Sequence, residues 1–565
     1  MQQRTKSKRL APRPLVFFLF IVAPVWVNAG DAAISIPEPL AANAAEAVLR
    51  DGGNAVDAAV ATAFVLAVTF PEAGNIGGGG FMTLFFEGES RFLDYRETAP
   101  GAATRDMYLD ERGVAVSDAS LIGHRASGVP GTVAGLWEVH SRYGRLPWKR
   151  LVAPAIELAT TGYRIPLWMS DLIAESQDEY AGRTNFANYY GDLQAETQFT
   201  QPDLAATLER IATTGADGFY RGETARLLLA EMERGDGLIS AQDLESYRPR
   251  WREPLSAEWR GFEVVTAPPP SSGGLAILQY LRIKDMLGRE FNEIAHNSVR
   301  YVHLKAEIEK RIFADRAEHM GDPDFADVPS AALLSDAYLR TRATQINRAQ
   351  PSATGAVEPW REPAHTTHFS ILDAEGNAVA NTYTLNTDFG SGVVVEGAGF
   401  LLNNEMDDFS AAPGVANYYG VTGNEANAIA PGKRMLSSMA PTLLLRDGQV
   451  AMVVGAMGGS TIFTTVYQLI SNVVEYGMSA AEAQAVPRVH HQLLPDQLIT
   501  YSPSTPITDE VANGLRELGY RVEPHAWEFG NAQLVWVDAD GNASAAADPR
   551  FAGVARVIPQ ADAKP

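Results

Sequence analysis

The sequence predicts a layered α+β fold in which helices cover largely antiparallel sheets. Two observations carry this. Strand-like runs flank Glu87-Gly88, Asp373–Asn377, Asp447-Gly448 and Asp540-Gly541, so hairpin signals recur along the whole chain. Stretches with helical patterning lie outside those hairpins in both halves.

Taken in order, Leu40 to Arg50 reads as a helix that Gly52-Gly53 stops, and Asn54 caps a second helix from Ala55 to about Val68. That second helix is apolar on nearly every face and is expected to be buried. Asn75-Ile76-Gly77-Gly78-Gly79-Gly80-Phe81 follows. It lacks the Gly-Lys-Ser/Thr of a phosphate loop, so close backbone approach beside a strand explains its glycines better. Phe81–Phe86 and Arg91–Tyr95 are strands, and Arg96 ends the second. Leu146 to Glu245 is mainly helical, and Pro268 to Gly274 forms a rigid turn before another helix. The stretch from Met320 to Pro363 reads as loop-rich. From Thr366 the character turns to β, with helices at Thr461–Tyr476 and Glu510–Leu518.

Composition excludes several functions. Asp+Glu number 68 against 46 Lys+Arg, a net charge of −22 that disfavours nucleic acid. The absence of cysteine removes disulfides, thiolate nucleophiles and cysteine-based metal sites. Arg4, Lys6, Lys8, Arg9 and Arg13 precede an apolar run from Leu15 to Val27, and Val27-Asn28-Ala29 offers a cleavage site. Residues 1–29 are thus expected to be a secretory signal; the run is short for a spanning helix. The mature chain is expected to be soluble, not membrane-bound, and periplasmic or secreted.

The chemistry-bearing stretch begins at Thr366. A symmetric loop about Glu375 sets Thr366 opposite Thr384, with Asn386 two residues further on. Two facing hydroxyls are equally what an ordinary sheet contains. A second hairpin about Asp447-Gly448 sets Ser437-Ser438 opposite the region of Met457-Gly458. Gly458-Gly459 precedes Ser460, a candidate N-cap, and a helix start. Such a turn suits an anion or oxyanion, or is simply a glycine turn. There is no Gly-x-Ser-x-Gly elbow and no His-Glu-x-x-His. The adjacent His490 and His491 would point to opposite faces of a strand, which suits packing better than a metal.

The run TTHFSILDAEGNAVANTYTLNTDFGSG from Thr366 resembles the signature of the γ-glutamyltransferases, N-terminal-nucleophile hydrolases. So do GNIGGGGFM at Gly74, DYRETAP at Asp94, PPPSSGG at Pro268, LLNNEMDDFS at Leu401, LSSMAPT at Leu436 and GAMGGS at Gly455. The resemblance covers essentially the whole mature chain. It implies a four-layer αββα sandwich and self-cleavage between His365 and Thr366. The products would be a large subunit, residues 30–365, and a small one, 366–565, kept together as a heterodimer.

By the same resemblance Thr366 is the nucleophile and Thr384 its hydrogen-bond partner. Arg96, Ser437 and Ser438 hold the substrate α-carboxylate, while Asn386, Glu405 and Asp408 surround its α-amine. Gly458 and Gly459 form the oxyanion hole, and Tyr419 gates a lid from Pro413 to Lys433. The implied donor is glutathione or another γ-glutamyl compound, the acceptor water, an amino acid or a dipeptide, with no metal or organic cofactor. Two departures stand out: Ala456-Met457 where the family often has Ser-Pro, and Glu405 where some members have Gln. The rival enzyme is a glutaryl-type cephalosporin acylase, whose substrate lacks the α-amine; Glu405 and Asp408 speak against it. A binding or scaffold protein on the same fold is the rival of another class.

Overall fold

The computed structural model describes residues 30–116, 118–353, 366–412, 417–418 and 421–560. The expected signal segment, His365 and Tyr419 lie outside the described residues. Two antiparallel sheets stack face to face. The seven-stranded sheet runs in the order Val554–Ile558, Ala32–Ile36, Thr367–Leu372, Ala378–Thr384, Gly79–Phe86, Glu89–Tyr95 and Arg250–Arg252. The six-stranded sheet runs Ala543–Ala547, Gly530–Val537, Gln449–Met457, Thr442–Arg446, Phe262–Thr266 and Leu255–Trp259. Both draw strands from before and after Thr366. The chain therefore does not divide into separate domains at that residue.

Apolar residues of both inner faces meet between the sheets, among them Ala33, Phe85, Val265, Leu372, Leu443, Val453 and Val535. On the outer face of the seven-stranded sheet lie the helices Pro39–Arg50, Ala55–Thr69, Thr132–Tyr143 and Trp148–Thr161. On the outer face of the six-stranded sheet lie Gly273–Leu287, Val299–His319 and Thr461–Val474. This is the expected α-β-β-α layering.

Local sequence explains the first elements. Asn54 and Asp57 form a reciprocal capping box, and all fifteen residues of the Ala55–Thr69 helix are buried, as its uniform apolarity predicts. Glu87 and Gly88 both take positive φ, the backbone of a tight hairpin turn. At Gly78 a Cβ would lie 2.0 Å from the Thr384 carbonyl oxygen, so only glycine lets these two segments touch.

The stretch after Met320 is more ordered than its composition suggests. It contains the helices Ser330–Leu333 and Asp336–Thr344, the second capped by the Ser335 hydroxyl and anchored by buried Leu339. No helix among the described residues is long and apolar enough to cross a membrane.

Candidate active site

The hairpin that opens at Thr366 keeps one register throughout, from Leu372 opposite Ala378 to Thr367 opposite Tyr383. One step further, Thr366 meets Thr384, and the two Oγ1 atoms stand 3.5 Å apart. Thr366 is only 3% exposed. The Thr384 hydroxyl also accepts the Asn386 N–H at 2.8 Å, while Asn386 takes a left-handed φ of 83° and donates through Nδ2 to the Asn404 carbonyl. Asn75, inside the glycine-rich motif, donates to the Thr384 carbonyl at 2.9 Å. The motif predicted to allow close approach thus supports the strand end that carries Thr384.

The second hairpin departs from its expected register. Arg446 faces Gln449 and Leu445 faces Val450, but a bulge between Leu444 and Leu445 shifts the ladder, and pairing ends at Thr442. Ser437 lies beyond it and bridges to Ser271 of the Pro268–Gly274 turn instead. Ser437 and Ser438 still share a cavity with Thr366, held there by that turn. One small cavity of about 10 Å³ is lined by Arg96, Thr366, Thr384, Asn386, Glu405, Asp408, Ser437, Ser438 and Gly459. Most of the residues singled out in the sequence therefore converge, from segments more than 300 positions apart.

At the head of the Thr461–Val474 helix, Gly458 has φ 121° and Gly459 φ 52°. The expected cap by Ser460 does not form: Ser460 is already helical and its hydroxyl donates to Gln492. No side chain caps this helix; the Thr461 hydroxyl instead donates back to the Gly458 carbonyl at 2.8 Å. The Gly459 N–H donates to no acceptor among the described residues. A preorganised donor at a helix start, beside a hydroxyl nucleophile, can stabilise a developing oxyanion.

Charge dominates the opposite wall. Arg96 is fully buried and pairs through Nη1 with Glu405 and through Nη2 with Asp408, while Glu97 stands 3.7 Å away. Its guanidinium also donates to the Leu436 carbonyl at 3.2 Å. Burial works against the Arg96 charge, yet the three carboxylates hold its pKa above the ordinary value. Burial likewise pushes Glu405 well above the carboxylate range, against the pull of Arg96. It raises Asp408 too, opposed by Arg96 and then Arg316. Among the described residues neither carboxylate oxygen of Glu97 has a side-chain hydrogen-bond partner.

The expectation that Glu405 and Asp408 would lack a cation without an α-amine needs correcting, since Arg96 serves both. What remains is three acids around one guanidinium, with burial holding Glu405 and Glu97 above the ordinary carboxylate range. Sequence reading passed over Glu97, although it follows Arg96 directly, because a lone carboxylate next to an arginine carries no signal of burial.

His490 and His491 behave as packed residues. His490 bonds Thr464 and Gln492, and His491 bonds the Leu498 carbonyl. Among the described residues no group of acidic or imidazole side chains is arranged to hold a metal ion.

A threonine leading an inner strand of an α-β-β-α sandwich, beside a helix-start donor, defines the class of N-terminal-nucleophile hydrolases. Within that class the chain belongs to the γ-glutamyltranspeptidase family, whose family model matches residues 41–558. A glutathione hydrolase proenzyme of Pseudomonas aeruginosa is 54% identical over 526 residues, covering 93% of this chain and 94% of that protein. Two solved structures resemble it. A cephalosporin acylase from Bacillus halodurans has a TM-score of 0.82 at 26% identity, over 96% of this chain and 98% of its own. A γ-glutamyltranspeptidase from Pseudomonas nitroreducens, complexed with L-DON, has a TM-score of 0.56 at 51% identity, over 56% of this chain and 95% of its own.

Proposed function

We propose that this protein is a self-processing γ-glutamyltransferase and glutathione hydrolase with Thr366 as nucleophile. The observation that carries the reading is the pairing of Arg96 with Glu405 and Asp408 in the cavity that also holds Thr366 and Thr384. A γ-glutamyl group ends in a zwitterion. Its α-carboxylate can take over the Arg96 fork, and its α-ammonium can take over the two acids so released. Ion pairs are exchanged and no buried charge is left alone. A glutaryl group brings the carboxylate without the ammonium, and would strand Glu405 and Asp408.

In processing, the Thr366 hydroxyl attacks the His365 carbonyl carbon and the acyl group moves from nitrogen to oxygen. Water then cleaves the ester, freeing a Thr366 amine and a His365 carboxylate. The products are a large piece, 30–365, and a small piece, 366–565. They stay associated as a heterodimer, because both sheets contain strands of each piece. That 56% of this chain accounts for 95% of the Pseudomonas nitroreducens chain supports a break of this kind.

The freed amine, with a pKa of about 7.7–8.0 in model peptides, is a base close to neutrality. It takes the Thr366 hydroxyl proton as the oxygen attacks the donor γ-carbonyl. The oxyanion forms against the Gly458-Gly459 turn. Collapse expels the amine of the leaving group, such as cysteinylglycine, which takes that proton. Water, or an amino-acid or dipeptide amine, then releases the γ-glutamyl group. Thr384 orients the nucleophile, Asn386 faces the ammonium, and Ser437-Ser438 receive the carboxylate. Tyr419 gates the cavity. The leader, residues 1–29, sends the protein to the periplasm or beyond.

The test compares a γ-glutamyl anilide with its glutaryl analogue on the processed enzyme. Stranding two buried acids should cost at least about a hundredfold in kcat/KM. Faster cleavage of the glutaryl anilide would overturn the substrate assignment in favour of an acylase.

A further inference from the structure

The Val299–His319 helix passes behind the Ser437-Ser438 turn and carries a charge that the reaction above does not use. Arg316, in its last turn, is 5% exposed. Its one side-chain hydrogen bond among the described residues runs from Nε to the Ser272 hydroxyl, at 3.2 Å, and it forms no ion pair with any described carboxylate. An unpaired buried cation is costly, and a neutral hydroxyl compensates little of that cost. Burial draws its pKa down to about 10, so it stays charged at neutral pH, and Asp408 is the charged group that opposes the decrease.

Ser272 connects this cation to the cavity. Its N–H and its hydroxyl both donate to the Ser437 carbonyl, each at 2.8 Å. The rest of the Pro268–Gly274 turn holds the same segment. Ser437 N–H donates to the Pro270 carbonyl at 2.9 Å, and the Ser271 hydroxyl to the Met439 carbonyl at 2.6 Å. Gly273 leaves room for the Ser438 carbonyl, which a Cβ would approach to 2.6 Å. The motif thus forms a cradle for the Ser437-Ser438 turn, with Arg316 behind it.

Charge balance gives the arrangement a purpose. Glu97, Glu405 and Asp408 all stand beside Arg96, so a substrate carboxylate must compete with Glu405 and Asp408 for its fork. Arg96 alone leaves that competition even. A second guanidinium, not consumed by an ion pair, tips it toward the substrate.

We infer that Arg316 is a positioning residue for the donor, a second cation that acts through Ser272 and Ser437 to make the cavity accept the substrate α-carboxylate. This rests on the γ-glutamyl reading of the same site. The experiment uses processed full-length enzyme with a γ-glutamyl anilide as donor, and two competitive inhibitors. L-glutamate carries the α-carboxylate; 4-aminobutyrate keeps the amine and lacks it.

Arg316→Gln should raise the donor KM and the glutamate Ki by on the order of tenfold. It should leave kcat within about twofold and the 4-aminobutyrate Ki unchanged, while Arg316→Lys restores most of the glutamate affinity. Ser272→Ala, which keeps the charge and cuts the link, should show the same selectivity at smaller size, and serves if Arg316→Gln does not fold. Equal weakening of both inhibitors, or no weakening of either, would overturn the role of Arg316. A parent enzyme that leaves the γ-glutamyl anilide intact would overturn the γ-glutamyl reading itself, and the Arg316 role with it.

Discussion

Two hairpins, one from each sheet, deliver chemistry to the same cavity by different means. In the hairpin that opens at Thr366 the ladder does the positioning. Its loop is pinned by Asp373, whose carboxylate accepts the Glu375 and Asn377 N–H groups and the Asn377 side chain. Its register then runs unbroken to Thr366. In the second hairpin the ladder slips at the Leu444–Leu445 bulge and stops at Thr442. There the Thr461 hydroxyl, donating to the Gly458 carbonyl, fixes the Gly458-Gly459 turn, and the Pro268–Gly274 cradle fixes Ser437-Ser438. Thr366 is thus placed chiefly by strand pairing, whereas the Gly458-Gly459 turn and Ser437-Ser438 need support from outside their own strands.

This contrast can be broken most severely at Thr366. Thr366→Ala should abolish both processing and turnover, because no other hydroxyl of that hairpin occupies its position; denaturing gels and the anilide assay read both losses. The second hairpin should be sensitive at the turn and not along the ladder. Gly458→Ala imposes a side chain at φ 121°, with its Cβ about to meet the Thr461 hydroxyl at 2.2 Å. Loss of the aligned donor should lower kcat by on the order of 10²–10³, read as kcat with KM largely retained.

The smallest effect concerns the contact between the two hairpins. His368 lies over Gly455, where a Cβ would fall 2.2 Å from the ring, and it bonds Thr382 and Ser370. Burial pushes its pKa down to about 3. Since the unfolded chain protonates near 6.5, stability from this neutral imidazole is complete above that pH. It is lost progressively as pH falls from about 6.5 toward about 3. The Tm should therefore drop across this window, and less steeply in His368→Asn.

The same contrast separates what was legible in the sequence from what was not. Local rules sufficed for the Ala55–Thr69 helix, with its Asn54 cap and uninterrupted apolar face, and for the Thr366–Thr384 pairing, which needs only a symmetric loop. They failed where tertiary contacts decide. The Leu444–Leu445 bulge leaves no trace in the alternation of a run that is apolar throughout. Ser460 looks like a cap, but it is already helical and its hydroxyl turns to Gln492, so the helix starts without a side-chain cap. The Val299–His319 helix buries Lys305, Glu307, Glu309, Lys310, Arg311 and Arg316, side chains that a sequence reading assigns to solvent. Lys305 pairs with Glu309 and Lys310 with Glu307 along the helix itself, but Lys305 also donates to the Val489 carbonyl and Lys310 to Gln497, partners that only the folded molecule reveals. The convergence of Arg96 with Glu405 and Asp408 spans more than 300 positions. Family resemblance supplied it; spacing could not.

The account stands most directly on the identity of the nucleophile. N-terminal sequencing of the smaller band from a denaturing gel of purified, active protein should read Thr366-Thr367-His368. A band beginning at another residue, or an uncut chain that still turns over γ-glutamyl anilide, would contradict it.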